Sequence, residues 1–135
     1  NLPDSGDFRV SLSESEFQST KQEIEQNLAE AQENAVRDVF DRVSMRMKHI
    51  IKRLNEVETT EGKGIRESMM RNVSELADML PKLNITGNQE IDAVARQIKQ
   101  DLASISSDDL RENQSSRIAA KQAANDILNK VSAYI

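Results

Sequence analysis

The sequence predicts an all-α protein, built as an irregular four-helix bundle with a long first helix. Apolar residues recur at steps of three and four over long stretches, the spacing that places them on one face of an α-helix. The 135 residues include only 4 glycines and 2 prolines, so the chain offers few tight turns. Aromatic residues make up 3% of the chain, whereas a β-sandwich or barrel needs many aromatic or β-branched strand residues.

The first helix is predicted over about residues 14–57. A proline and a glycine predict an irregular arm over residues 1–12, and Ser13 with Glu16 matches a capping box at the start of the helix. Without a break, a helix of this extent would be roughly 65 Å long at 1.5 Å per residue. A stripe of apolar or small residues follows one of its faces: Phe17, Ile24, Leu28, Ala31, Ala35, Val39, Val43, Met47, Ile50, Leu54 and Val57.

This predicted length exceeds what a compact bundle of 135 residues can cover. We therefore expect either a break in the helix or an acidic first half that pairs with another chain. The second half should be the better buried part, because Val36, Phe40 and Ile51 lie beside its stripe. In the first half, the residues expected to bind a partner are Phe17, Ile24, Leu28, Ala31 and Ala35.

Three further helices are predicted, over about residues 65–80, 89–104 and 115–133. Pro81 is expected to end the second helix, because proline lacks a backbone N–H, and Asn88 is expected to cap the third. The string SSDDL between the third and fourth helices reads as a capped single turn, in which acidic residues favour the positive end of the helix dipole.

The segment PKLNITGN between the second and third helices is predicted to be a turn. Leu83 and Ile85 alternate, and we expect both to fill the core. Asn84 and Thr86 are expected to satisfy unpaired backbone groups, and Gly87 suits a positive φ. These features explain the segment as structure, and a binding loop remains the alternative.

The composition argues against catalysis, a metal site and a membrane span. There is no cysteine, which excludes disulfides and thiol chemistry, and His49 is the single histidine, which leaves little room for a His-based triad. No apolar run approaches the roughly 18 residues of a membrane span. We therefore predict no catalytic residue, no cofactor and no metal.

Charge is distributed unevenly along the chain. Residues 1–35 contain eight acidic and two basic residues, whereas residues 36–57 contain six basic and three acidic ones. Within the basic stretch, a patch for phosphate or an acidic partner would consist of Arg42, Arg46, Lys48, Lys52 and Arg53. The simpler interpretation is a solvated helix face, and it is favoured because the net charge is −5 and no aromatic residue is available there to stack on bases.

Several strings resemble the C-terminal part of a family of uncharacterised phage and prophage proteins. They are GDFRV near the start, LPKLNITG in the centre, and the alanine-rich ending that closes on SAYI. The resemblance implies a larger parent protein, which agrees with a chain that begins with Asn1 rather than Met. It also implies that the protein lies in the cytoplasm of a bacterial host. Genes of such phage proteins often stand beside genes for MoxR-type AAA+ ATPases and von Willebrand factor A-type proteins. This sequence is poorer in arginine and tryptophan along the first helix than the family pattern.

We therefore expect residues 13–135 to form one helical bundle domain, a C-terminal fragment of a longer phage or prophage protein. Its expected function is that of a non-catalytic protein-interaction or oligomerisation module, acting through helix–helix pairing at residues 14–35. The expected partner is a second copy, an AAA+ ATPase or another phage protein, and no membrane is involved. The alternative is a nucleic-acid-binding accessory protein that uses the basic face of residues 37–53.

Overall fold

A computed structural model describes the backbone of residues 3–135 and the side chains of residues 13–135. It confirms the all-α class: the described backbone contains helices and turns and no β-strand. Five α-helices are present rather than four, because the turn predicted within SSDDL is a short helix of its own. They are α1 (Pro3–Glu56), α2 (Glu67–Leu83), α3 (Gln89–Gln97), α4 (Ser107–Glu112) and α5 (Gln114–Ser132).

The first helix is continuous and begins earlier than the sequence predicted. α1 starts at Pro3 and runs for 54 residues. The irregular arm over residues 1–12 and the capping box of Ser13 with Glu16 were therefore wrong, and residues 1–2 lie outside the described part. Proline is tolerated in a first helical turn, since its missing N–H has no intrahelical partner there. A single glycine costs a helix only about 1 kcal/mol relative to alanine, which is too little to stop it.

The loop after α1 turns sharply through residues with positive φ. A 3-10 turn over Glu58–Thr60 is followed by Glu61 at φ 55°, Gly62 at φ 88° and Gly64 at φ 97°. The Gly62 N–H donates to the carbonyl of Val57 over 2.9 Å. The predicted loop between the first two helices is confirmed, and its glycines supply the left-handed conformations that it needs.

The second helix continues past Pro81, which was expected to end it. α2 runs to Leu83 with Pro81 inside its last turn. Proline fixes a φ value close to that of a helix, and near a helix end its cost is confined to a few hydrogen bonds. Ile85, expected in the core, is 77% exposed because it follows the helix end in an open turn, whereas Leu83 does pack against the core.

Asparagines organise the connection between α2 and α3. The Asn84 side chain accepts a hydrogen bond from the Asn88 N–H at 2.8 Å and donates to the Asn88 carbonyl at 2.8 Å and the Asp92 carboxylate at 3.0 Å. The Asn88 side chain accepts from the N–H groups of Glu90 and Ile91. The predicted cap is thus confirmed, and Gly87 adopts φ 67° as expected. Thr86, expected to serve the backbone in the same way, is exposed.

The third helix extends into a wider turn before the chain reaches α4 and α5. A π-helical segment, Ile98–Leu102, follows α3 directly, and the Ala103 N–H reaches back to the Ile98 carbonyl over 2.7 Å. Both Ile98 and Leu102 are fully buried, so this segment contributes to the core. The Ser106 hydroxyl then accepts from the Asp109 N–H and caps α4.

The core belongs to one compact unit, residues 36–135. On α5, small residues such as Ala120 and Ala124 are fully buried, so the backbones of neighbouring helices can approach closely. The Phe40 ring stacks on Tyr134 with 4.6 Å between ring centroids. The largest fully buried side chains of this core include Phe40, Met47, Ile50, Leu54, Leu80, Ile91, Ile98, Leu102, Leu110 and Ile127. Residues 1–35 form a second unit, in which the side chains of residues 13–34 are exposed.

Candidate functional site: an apolar stripe and a basic groove

The residues predicted to bind a partner lie on one face of α1, and we call them the α1 stripe: Phe17, Ile24, Leu28, Ala31 and Ala35. The three large members are 64%, 60% and 56% exposed in that order. Ala31 is exposed, and Ala35 is half-buried. Single exposed apolar residues are common on protein surfaces, whereas these three large ones recur on the same face of one helix.

The α1 stripe has the spacing of a coiled-coil seam. With Lys21 filling one position, its steps from Phe17 to Ala35 alternate between four and three. Positions beside the seam are mostly uncharged and polar, and they include Gln18, Thr20, Asn27 and Gln32. Three glutamates form a separate row farther round the helix, at Glu16, Glu23 and Glu30, because they recur every seven residues.

Most of the predicted basic patch lines a groove between α1 and α2, which we call the α1–α2 groove. It comprises two adjoining cavities of about 400 and 440 Å³ that share His49 and Asn72. Basic side chains are prominent in its lining, and they are Arg42, Arg46, Lys52, Arg53 and Arg66. Two carboxylates, Glu56 and Glu75, also line it.

Lys48 does not belong to this groove, so the predicted patch is divided. Lys48 lines a depression against α5 with Ile51 and Leu128, and this depression borders the groove because Lys52 and Glu56 line both. Successive residues of an α-helix are about 100° apart, so Lys48 is rotated by about 200° from Arg46. Measured the shorter way round the helix, the two side chains are about 160° apart. Linear clustering of charge in the sequence therefore overestimated how many basic residues share one face.

Arg53 is engaged by its own neighbourhood. Its guanidinium forms an ion pair with Glu56 at 3.1 Å and donates to the Gly64 carbonyl at 2.9 Å. These contacts tie the end of α1 to the following loop. In the described part of the chain Arg42, Arg46 and Lys52 form no ion pair, so they are the groove cations that can meet a ligand.

Apolar side chains complete the surface of the groove. Leu76 and Met69 are buried in its wall, whereas Met45 and Met79 are 64% and 41% exposed. Met69 and its neighbour Met70 are both only 7% exposed. Methionine is flexible and polarisable, so exposed methionines form adaptable contact surfaces.

Arg66 and Met45 were not singled out by sequence reasoning. Arg66 lies just before α2, thirteen residues after Arg53 and across a loop from it. No sequence pattern therefore predicts that the two arginines are close together. Only the packing of α2 against α1 brings it to the groove. Met45 lies off the apolar stripe, so its exposure could be read from helical spacing, although its role in the groove could not.

Neither a metal-binding cluster nor a membrane-spanning helix is found in the described part of the chain. Among the described residues, no three His, Asp or Glu side chains gather where they could hold a metal ion. None of the helices in that part of the chain combines the length and apolar content needed to cross a bilayer.

No protein-family model, curated protein or solved structure matches this chain. Its function is therefore inferred from the α1 stripe and the α1–α2 groove.

Proposed function

We propose that this chain is a non-catalytic helical protein-interaction module that acts by helix–helix pairing at residues 14–35. The observation that supports this most directly is the exposure of Phe17, Ile24 and Leu28 on one face of α1. Completely burying a side chain of this size stabilises a complex by about 1.5–3 kcal/mol before the costs of association. The alanines at the end of the stripe would allow a partner helix to approach closely.

The stability of an exposed helix supports the same proposal. Most helical stability in proteins comes from packing of an apolar face rather than from helix propensity. The described side chains of residues 13–34 are all exposed. A paired helix would supply the missing packing, and the spacing of the α1 stripe suits such a partner.

Substitutions in the α1 stripe test the proposal. Ile24→Asp with Leu28→Asp should abolish self-association or partner capture, because each carboxylate would have to be buried in the seam. Light scattering over a range of concentrations, together with a pull-down from host lysate, measures both. Gln22→Asp with Gln26→Asp is the matched control, since it adds the same charge on the opposite face of the same helix. A strict monomer at high concentration that also captures no partner would contradict the proposal.

The resemblance to the phage and prophage family supports a specific setting for this module. In that setting the chain is part of a longer cytoplasmic phage protein, whose partner is a second copy, an AAA+ ATPase or another phage protein. Co-purification of the full-length parent with the products of its neighbouring genes would identify the partner class.

A second candidate function is binding to nucleic acid. Arg42, Arg46 and Lys52 line one groove without an ion pair in the described structure, which favours an anionic ligand. A mobility shift at low salt should then be lost with Arg42→Glu and Arg46→Glu, and should weaken steeply as salt rises. No Phe, Tyr or Trp among the described side chains lines the groove, so the His49 ring alone could stack on a base there. Absence of any shift at low salt would exclude this function.

A further inference from the structure

We propose that the α1–α2 groove is the docking site for the acidic segment of a second copy of this chain, residues 14–30 of its α1. The inference rests on the proposed function, since it names the surface that the α1 stripe meets. In this contact, the α1 stripe of one copy would bind in the α1–α2 groove of another.

Charge complementarity is the first argument. Residues 14–30 carry five glutamates and one lysine, whereas five arginine or lysine side chains and two glutamates line the groove. Two acidic segments would repel each other if they paired side by side. An acidic segment in a basic groove instead gains attraction, which steers the encounter and favours this partner over another acidic surface.

The dimensions of the two surfaces agree. Phe17 and Leu28 are eleven residues apart, so they are separated by about 16 Å along a helix axis. The α1 wall of the groove extends from Arg42 to Glu56, which is fourteen residues and about 21 Å. The apolar row of the segment is therefore short enough to lie within the groove.

The chemistry of the contact is that of an amphipathic helix in a groove. Phe17, Ile24 and Leu28 would serve as anchors at positions i, i+7 and i+11, and the exposed Met45 and Met79 supply adaptable apolar contact. The segment also carries five glutamates, and Arg42, Arg46 and Lys52 are the groove cations that form no ion pair among the described residues. The same helix would therefore supply both the apolar anchors and the acidic charge.

The geometry of association follows from the use of two different surfaces. Each chain would offer one segment and one groove, so two copies can exchange segments in a two-fold dimer, and unreciprocated contacts would instead produce rings or filaments. The wild-type protein should therefore associate beyond the monomer as its concentration rises. Salt should dissociate the assembly, because the contact is strongly charged.

Charge reversal tests this pairing. One variant carries Glu16→Lys and Glu23→Lys in the segment, and the other carries Arg42→Glu and Arg46→Glu in the groove. Each should weaken self-association by at least about tenfold in sedimentation or light scattering. An equimolar mixture of the two variants should restore association, because each segment then meets a groove of opposite charge. Lys63→Glu with Lys82→Glu is the matched control, since both lysines are exposed and line neither the groove nor the depression beside it, and association should be unchanged.

The outcomes separate this inference from the proposed function. The docking inference is overturned if the Ile24→Asp and Leu28→Asp variant loses association while the groove variant keeps it, or if the mixture shows no recovery. It is also overturned if the wild-type chain is monomeric but captures a different protein through the α1 stripe, in which case the proposed function stands. A monomer that captures no protein contradicts both, and a groove-dependent mobility shift in such a monomer assigns the groove to nucleic acid.

Discussion

Gly62 lies where the loop after α1 meets the backbone of α4. A Cβ atom at this position would lie 2.6 Å from the Arg111 carbonyl oxygen and 2.9 Å from that of Leu110. The same loop is held by side chains from beyond it: Arg117 donates to the Glu61 carbonyl at 3.4 Å, and Arg111 donates to the Ile65 carbonyl at 2.9 Å. A glycine is therefore required here for two reasons, the positive φ and the close approach of another backbone.

Gly62→Ala should lower the free energy of unfolding by about 2–4 kcal/mol, because a left-handed alanine is strained and the new methyl group collides with backbone atoms that cannot yield cheaply. Gly87→Ala is the control, since it also has a positive φ but no described atom lies within 4 Å of its Cβ position. It should cost only about 1–2 kcal/mol. Urea denaturation followed by circular dichroism measures both, and equal losses would show that the close approach is unimportant.

At the scale of elements, the start of α3 depends on a side chain and the start of α5 does not. Asn88 precedes α3 and accepts hydrogen bonds from two backbone N–H groups, at 2.8 and 3.2 Å. Asn113 occupies the corresponding position before α5, and no side-chain cap bond is present there in the described structure. The same residue type at equivalent positions therefore has different roles.

Asn88→Ala should destabilise the protein by about 0.5–2 kcal/mol, because two N–H groups lose their acceptor. Asn113→Ala should change stability by no more than about 0.5 kcal/mol. Asn88→Asp restores an acceptor and should recover most of the loss. Thermal unfolding of the three variants measures these differences, and equal effects of the two alanine substitutions would disprove the assignment of the cap.

At the scale of the whole molecule, apolar residues on α1 differ in what they stabilise. Ile50 is fully buried in the unit of residues 36–135, whereas Ile24 is 60% exposed in the unit of residues 1–35. Ile50→Ala should cost about 2–5 kcal/mol through the lost burial and the cavity left behind. In a dilute solution, Ile24→Ala should change stability by less than about 0.5 kcal/mol.

Unfolding at two protein concentrations checks this division. If association protects the wild-type chain, its midpoint should rise with concentration, and Ile24→Ala should remove that rise. Ile50→Ala should lower the midpoint at both concentrations by a similar amount. A large loss for Ile24→Ala in dilute solution would mean that Ile24 stabilises the single chain, which would contradict its proposed role.

The helical spacing of apolar residues predicted the buried positions of this protein better than single residues such as prolines or turn residues predicted its helix ends. The steps of three and four placed Val43, Ile50 and Leu54 in the core, and all three are buried. Local signals were less reliable, since Pro81 did not end its helix and Ile85 did not enter the core. Propensity at one residue is worth about 1 kcal/mol or less for most residues, whereas the apolar face of a helix sums over many burials.

The sequence by itself determined the helical class, the cap at Asn88, the capped turn within SSDDL and the position of the apolar stripe along α1. Each of these depends on residues close together in the chain, which interact through the fixed geometry of one helix or turn. Only the tertiary structure decided that Arg66 joins Arg42 and Arg46 in one groove while Lys48 faces α5. The reason is that a groove between helices is made by the packing of distant segments, and helical periodicity within one segment carries no information about its neighbour.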